Sequence, residues 1–274
     1  MRDFEIVNVI ICYNNGSEVV EYINKMKDHD SISKVCFVIV VNSWADTDKT
    51  IINNFISASS ISVILFQPNK NLGYMNGLIH GYRYYRDIYG IPKYVVMSNT
   101  DIEIPDREYY SRLLNMEYGA DVGCIGPSVY VKEKNTYDNP VCEERRTKKE
   151  VDKIIKIFSN PYLGGTYYYL STLKGHFIKS KKTGSRFVYE VHGCYFILTG
   201  IFAEKIKDLE YGVLLYSEES YIAELVYKFG MKAYFDSTIE VVHLEHSTTK
   251  FIKCSKISKY MHESMTYIRD EFYK

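Results

Sequence analysis

An open α/β sheet, mostly parallel and covered by helices on both faces, is the fold class that this 274-residue chain predicts. Three observations point there. Apolar runs of strand length begin near residues 6, 34, 61 and 93 and are rich in Val, Ile and aromatic residues. Between them, apolar residues recur at helical spacing. The connections are short, which favours right-handed crossovers between parallel neighbours.

Ile6 to Cys12 is a nearly continuous apolar run and reads as a central parallel strand, ending at Tyr13-Asn14-Asn15-Gly16. Ser17 is suited to cap the following helix, whose apolar face is Val19, Tyr22, Ile23 and Met26. A second buried strand, Lys34 to Val41, ends in the polar stretch Asn42 to Asp48. There Thr47 or Asp48 would cap a helix with Ile51, Ile52, Phe55 and Ile56 on its inner face. A third strand, Ile61 to Phe66, meets the turn cluster Gln67 to Gly73, and a helix follows with Met75, Leu78, Ile79, Tyr82 and Tyr85 aligned. The fourth strand, Lys93 to Met97, stops abruptly at Ser98-Asn99-Thr100-Asp101.

All four strand ends therefore carry polar residues, and ligands of open α/β sheets sit over such ends. A lone carboxylate with hard oxygen neighbours, such as Asp101, suits Mn2+ or Mg2+ carrying a phosphate. Asn-Thr-Asp is equally good turn chemistry. No Gly-x-Gly-x-x-Gly follows the first strand and no Gly-Lys-Ser/Thr loop is present, which argues against dinucleotide and P-loop folds.

Beyond Asp101 the pattern loosens. Pro105 and Asp106 start a helix to about Tyr118, and Cys124 to Val131 reads as a strand. Residues 132–186 are polar, basic and punctuated, and read as long loops or small strands. Within them Tyr167–Tyr169 either pack locally as strand formers or stack on a sugar. Phe187 to Gly193 alternates like a strand and Cys194 to Leu198 continues it, with Gly193 marking a bend or a close backbone approach. A short helix spans about 201–209.

Ser217 is placed as an N-cap before Ile222, Leu225, Val226 and Phe229, so Glu218 and Glu219 fall in a first helical turn. The helix dipole there favours an ionised carboxylate, the form a general base needs, although acidic first turns are also routine capping. A last strand, Ala233 to Leu244, brings His243-Leu244-Glu245-His246 to its end, where the two histidines would face opposite sides. From about Cys254 a mixed-charge helix with Ile257, Met261 and Met265 on one side would dock on the body or touch a membrane surface.

The composition is that of an ordinary globular protein, 46% hydrophobic and 25% charged. Lys+Arg and Asp+Glu are 34 each, so no nucleic-acid partner is implied. No run reaches the roughly 18 apolar residues of a membrane span, and the N-terminus reads directly into a strand rather than a signal peptide. The six cysteines form no Cys-x-x-Cys pair, and several lie in apolar runs. They read as buried thiols in a reducing compartment, the cytoplasm or its membrane face. Tyrosine is abundant, 27 residues, and suits surfaces that meet sugars or a lipid interface.

Taken together, these stretches resemble the family-2 inverting glycosyltransferases of GT-A fold, from Val7 to about Ser247, in the branch with bacterial rhamnosyl and hexosyl transferases. Val9-Ile10-Ile11-Cys12-Tyr13-Asn14 looks like the family's first strand and base-binding turn. Val41-Asn42-Ser43 through Asp48 looks like its second loop, and Asn71-Leu72-Gly73-Tyr74 like its third. Ser98-Asn99-Thr100-Asp101 stands where the metal-binding Asp-x-Asp lies, His192-Gly193-Cys194-Tyr195 where its acceptor-side strand lies, and Tyr216-Ser217-Glu218-Glu219 at its catalytic Glu-Asp. The departures are Asn42 and Asn99 in place of Asp, and Glu219 in place of the usual Asp base.

The resemblance implies a UDP- or dTDP-sugar donor contacted by Cys12, Tyr13, Asn14, Asn42, Ser43, Asn71, Gly73, Asn99, Thr100 and Asp101. It implies Mn2+ or Mg2+ on Asp101 and His243, and Glu219 or Glu218 as base. Gly193, Cys194 and Tyr216 would line the acceptor, a hydroxyl of a cell-surface glycan or lipid-linked oligosaccharide. Residues 1–101 would be the nucleotide half, 102–250 the acceptor half with a variable 132–186 insertion, and 251–274 a C-terminal helix. The competing reading is a catalytically inactive nucleotide-sugar-binding module in a polysaccharide-assembly complex, since a fold does not fix a function.

Overall fold

The computed structural model describes residues 4–177, 180–245 and 254–274, with side chains left undescribed at 172–177 and 254. Four parallel strands form one side of the sheet: β1 (Ile6–Tyr13), β2 (Val35–Ser43), β3 (Ser62–Phe66) and β4 (Tyr94–Ser98). Their order is β3-β2-β1-β4, so each polar C-terminus opens on the same edge. β1, β2 and β4 are buried nearly throughout, as continuous apolar runs in a two-sided sheet must be. The helices between them are α1 (Gly16–Lys25), α2 (Asp46–Ala58) and α3 (Tyr74–Tyr89). One core cluster joins α3 to the sheet and a second joins α1 and α2 to it, so both faces are covered.

The sheet continues beyond β4 through β9 (Tyr195–Thr199), β6 (Val122–Val131), β10 (Lys232–His243) and β5 (Ile102–Glu103). β9 runs antiparallel to both β4 and β6, while β6 and β10 are parallel. Two short strands, β7 (Thr136–Tyr137) and β8 (Arg186–Val188), pair with β6 and β10. Two short helices lie alongside, α4 (Tyr109–Asn115) and α7 (Gly200–Ile206); α8 (Glu218–Lys228) packs against β6 and β10.

Several local expectations are corrected. Ser17 does not cap α1, which starts at Gly16; its N–H donates to Asp48 Oδ1 at 3.0 Å. Asp48 is not a cap of α2 either: it lies inside the first turn and accepts from the Ala45 N–H at 3.2 Å, so one carboxylate ties two helix starts together. The helix foreseen at 105–118 shrinks to α4, because Asp106 closes a side-chain turn onto the Glu108 N–H before it. The strand foreseen at 187–193 is only β8, and the chain then bends before β9.

The largest correction concerns 132–186, which is mainly helical. α5 (Lys148–Phe158) begins at Thr147, whose hydroxyl accepts from the Glu150 N–H while Glu150 accepts from the Thr147 N–H. Val151, Ile155 and Phe158 form its buried face. α6 (Pro161–Phe177) follows, so Tyr167–Tyr169 are helical and not in a strand. Both helices pack on the C-terminal α9 (Cys254–Phe272), which docks on the body through Ile257, Met265 and Ile268. The five described cysteines are free thiols, four of them buried. His246 lies outside the described residues.

Candidate active site

The polar strand ends are laced together. Ser43 donates to Asn14 Oδ1 at 3.1 Å, and the Asn14 N–H donates to the Ser43 carbonyl at 2.9 Å. Asn15 donates to Thr100 Oγ1 at 3.2 Å. Asn14 holds φ 55°, a left-handed geometry that asparagine tolerates, and Tyr13 beside it is exposed. Cys12 is buried, and burial pushes its thiol up to about 11. Asn42 is buried and its amide secures the third loop: it donates to the Gly73 carbonyl at 2.7 Å and accepts from the Leu72 N–H at 3.2 Å. Asn71 accepts from the Gly73 N–H at 2.8 Å. Gly73 has φ 77° and leaves no room for a side chain, since a Cβ would lie 2.2 Å from the Leu214 carbonyl oxygen.

Asp101 and His243 meet although far apart in sequence. β5 pairs antiparallel with the end of β10, setting Ile102 opposite His243, and the Leu244 N–H donates to the Asp101 carbonyl at 2.9 Å. His243 Nε2 is then 3.3 Å from Asp101 Oδ2, both side chains being buried. Burial would raise the Asp101 carboxyl, but the His243 ring outweighs it and holds the group below the usual carboxylate range. The contact is not aligned as a hydrogen bond: both Asp101 oxygens and both His243 ring nitrogens are buried without a geometrically aligned hydrogen-bond partner. Orphaned buried acceptors are rare and call for a ligand. A carboxylate beside an imidazole is a donor set for Mn2+ or Mg2+, ions that take the remaining ligands from phosphate and water. Among the described residues no group of three or more His, Cys, Asp or Glu side chains could hold a metal, so phosphate would have to complete the shell.

Glu218 and Glu219 open α8, as the sequence predicts, but their environments differ. Tyr216 and Ser217 precede them with φ 76° and 58°, a strained pair for non-glycine residues. Ser217 occupies the N-cap position without a side-chain cap bond; its hydroxyl meets Ser264 at 2.9 Å instead. Glu218 Oε1 accepts from the Tyr216 N–H at 2.8 Å and so supports this turn. Glu219 instead lies against Gly193, where a Cβ would sit 2.9 Å from its carboxyl carbon. An apolar void lined by Cys124, Val191, Phe196 and Ile222 underlies it. The expectation that the dipole keeps these carboxylates ionised is outweighed. Desolvation raises both first; the Glu219 carboxylate then adds to the rise of Glu218, and the Glu190 carboxylate to that of Glu219.

Tyr74 bridges the two carboxylate sites. Its hydroxyl donates to Asn99 Oδ1 at 2.7 Å and reaches the Gly193 carbonyl at 3.5 Å. The Asn99 N–H donates to the Cys194 carbonyl at 2.9 Å. The half-buried Tyr74 hydroxyl and the buried Cys194 thiol are both raised, first by desolvation and then by neighbouring acidic groups that include Asp101 and Glu219. Tyr74 thus spans from Asn99, two residues before Asp101, to Gly193, against which Glu219 lies.

Sequence reasoning missed Tyr74, which lay within a quoted motif as a helix residue, and His192, the neighbour of Gly193. His192 packs edge-on against His243 with ring centroids 5.8 Å apart, and its Nδ1 accepts from the Cys194 N–H at 3.1 Å. It also missed Glu190, which pairs with Arg146 and accepts from Ser220 Oγ at 3.0 Å behind Glu219. A Gly193→Ala variant tests the close approach. Its methyl group must displace the Glu219 carboxylate, and a misplacement of about 1 Å costs roughly a hundredfold in turnover. Unchanged turnover would show that the Glu219 position does not matter.

No family model matches the chain, and no curated protein matches it in sequence. Solved structures do match in shape. One is the mannosyltransferase PcManGT from Pyrobaculum calidifontis in complex with GDP-Man and Mn2+, at TM-score 0.57 and 11% identity, covering 96% of this chain and 68% of that one. Another is GalNAc-T7 with UDP, GalNAc and Mn2+, at TM-score 0.59 and 12% identity, covering 98% of this chain and 50% of that one. The chain has the GT-A fold. It spans about two thirds of the first neighbour's length and half of the second's.

Proposed function

We propose that this chain is an inverting glycosyltransferase that moves a sugar from a UDP- or dTDP-linked donor to a hydroxyl of a cell-surface glycan or lipid-linked oligosaccharide. The observation that carries the reading is the placement of two chemically distinct carboxylates across Tyr74: the buried Asp101 with His243, and the half-buried Glu219 against Gly193. That they sit in a GT-A fold, whose solved neighbours hold nucleotide sugars or nucleotide with sugar and Mn2+, supports it.

In this reading residues 1–101 bind the donor, with the nucleotide over the ends of β1, β2 and β4. Asp101 and His243 would hold a divalent metal, which neutralises charge on the departing diphosphate. Glu219 accepts the proton of the acceptor hydroxyl as its oxygen bonds to the anomeric carbon and the bond from that carbon to the diphosphate breaks. Gly193, Cys194 and Tyr216 border the acceptor. Glu218 is excluded as first choice for the base because one of its oxygens is committed to the Tyr216 N–H. Glu219 reaches one methylene farther than an aspartate would, so the acceptor is held correspondingly farther from the helix.

The test is a donor panel. UDP-, dTDP- and GDP-sugars are mixed with the protein and Mn2+, and thermal stability and nucleoside diphosphate release are followed. A bound donor at a hundred times its dissociation constant stabilises by roughly 2.7 kcal/mol. A Mn2+-dependent shift with slow release for a UDP- or dTDP-sugar is expected. Binding without release under any acceptor would favour the inactive binding module, and no shift with any donor would overturn both readings.

A further inference from the structure

Helix α6 is inverted relative to an ordinary amphipathic helix. Its buried side is glycine: Gly164 lies so close to α9 that a Cβ would fall 2.1 Å from Ser258 Oγ. Its outward side is aromatic and aliphatic, with Tyr162 87%, Leu163 62%, Tyr169 58% and Leu170 57% exposed. The spacing of seven within each pair, 162 to 169 and 163 to 170, places all four on one stripe. Burial within the chain does not explain this stripe, because the small side of the helix makes the contact.

Charge supplies the complement. α5 holds four lysines, Lys148, Lys149, Lys153 and Lys156, against Glu150 and Asp152, a net charge of +2 in a chain whose overall charge is zero. On α5, exposed Lys149, Lys153 and Lys156 lie opposite the buried Val151, Ile155 and Phe158. α5 and α6 lie side by side, each with its inner face on α9. Tyrosine and leucine flanked by lysine is the composition that enters the headgroup region of an anionic bilayer. No helix among the described residues is long and apolar enough to cross a membrane, so such contact is peripheral.

We propose that the α5–α6 face docks this protein on an anionic lipid bilayer through Tyr162, Leu163, Tyr169 and Leu170, with the α5 lysines over the headgroups. The surface adjoins the acceptor side of the site: Tyr168 on α6 neighbours Tyr216, which stacks on Tyr260 of α9 at 6.1 Å. An acceptor held in the membrane would reach Glu219 past this tyrosine cluster. That last step rests on the transfer reading above; the docking itself does not.

Flotation with vesicles tests it without donor, metal or acceptor. The full chain is mixed with vesicles of phosphatidylcholine alone, or with about a third phosphatidylglycerol, at low and high salt. Binding is expected only to the anionic vesicles and is weakened by salt. Tyr162→Ser/Leu163→Ser/Tyr169→Ser/Leu170→Ser is expected to weaken it at least roughly tenfold. Lys149→Glu/Lys153→Glu/Lys156→Glu is expected to weaken it roughly a hundredfold or more. These positions are solvent-exposed, and the second variant keeps the test decisive if the first does not fold. No flotation with anionic vesicles, flotation unaltered by the lysine reversal, or a wild-type dimer that the serine variant dissociates without any vesicle binding would each overturn the proposal. Glu219→Gln protein floating like wild type, yet transferring nothing, separates docking from catalysis.

Discussion

Glu219→Gln is expected to lose sugar transfer by roughly a thousandfold or more, since a positioned general base contributes about 10²–10⁴ in rate. Donor affinity should be unchanged, because the substitution removes one negative oxygen at the acceptor side and leaves Asp101 and His243 intact. The same substitution should stabilise the fold. Glu218 and Glu219 are raised from 4.5 to about 8 and about 7, so the folded chain binds protons more tightly than the unfolded one. The contribution of this pair to stability therefore falls as pH rises from the unfolded value through the raised folded ones. A neutral amide escapes that penalty, so the variant's melting temperature should exceed wild type at pH 8 and match it near pH 4. In wild type, kcat/KM should rise with pH along a limb set by Glu219 and not by an ordinary carboxylate. Retained transfer, or a limb near pH 4.5, would exclude Glu219 as base and turn attention to Glu218.

Asp101→Asn should abolish the metal response. The substitution keeps shape and hydrogen bonding but removes the negative charge that, with His243, forms the donor set. Charge stabilisation by a bound metal amounts to several kcal/mol, so transfer should drop by roughly a thousandfold. The distinguishing measurement is calorimetric. Wild type should bind nucleoside diphosphate far more tightly with Mn2+ than without, whereas the variant should show one weak affinity in both conditions. Equal Mn2+ enhancement in the variant would move the metal site elsewhere. The variant should keep the fold, since asparagine matches aspartate in shape, but lose the stabilising contact of the carboxylate with His243.

The four parallel strands and their helices were legible because each depends on local pattern: buried runs such as Val35–Val41 and helical stripes such as Met75-Leu78-Ile79-Tyr82. The approach of Asp101 to His243 was legible only through the resemblance. Its physical agent is β5, a strand of two residues that carries no periodicity. The 132–186 region misled because lysines and glycines look like loop punctuation. Yet Thr147 and Glu150 form a capping box ahead of Val151, Ile155 and Phe158, a signal that was present in the sequence. Glycines 164 and 165 read as a break, but both are buried in α6 and Gly164 forms a contact surface for α9. The raised carboxyls of Glu218 and Glu219 could not be foreseen, because the apolar void beneath Glu219 is assembled from β6, β9, α8 and the 189–191 segment. Tyr74 escaped notice for a similar reason: its partners, Asn99 and Gly193, are 25 and 119 residues away.

β9 has a mechanical consequence. It is hydrogen-bonded along Tyr195–Thr199 to β4 and at Ile197 and Leu198 to β6, so one backbone ladder joins β4, which leads to Asp101, to β6, against which the Glu219-bearing α8 packs. Swinging the two sides apart like jaws would break that ladder and expose the buried β9 residues packed in it. In the transfer reading, access to the site would then fall to segments outside that ladder, such as 211–217.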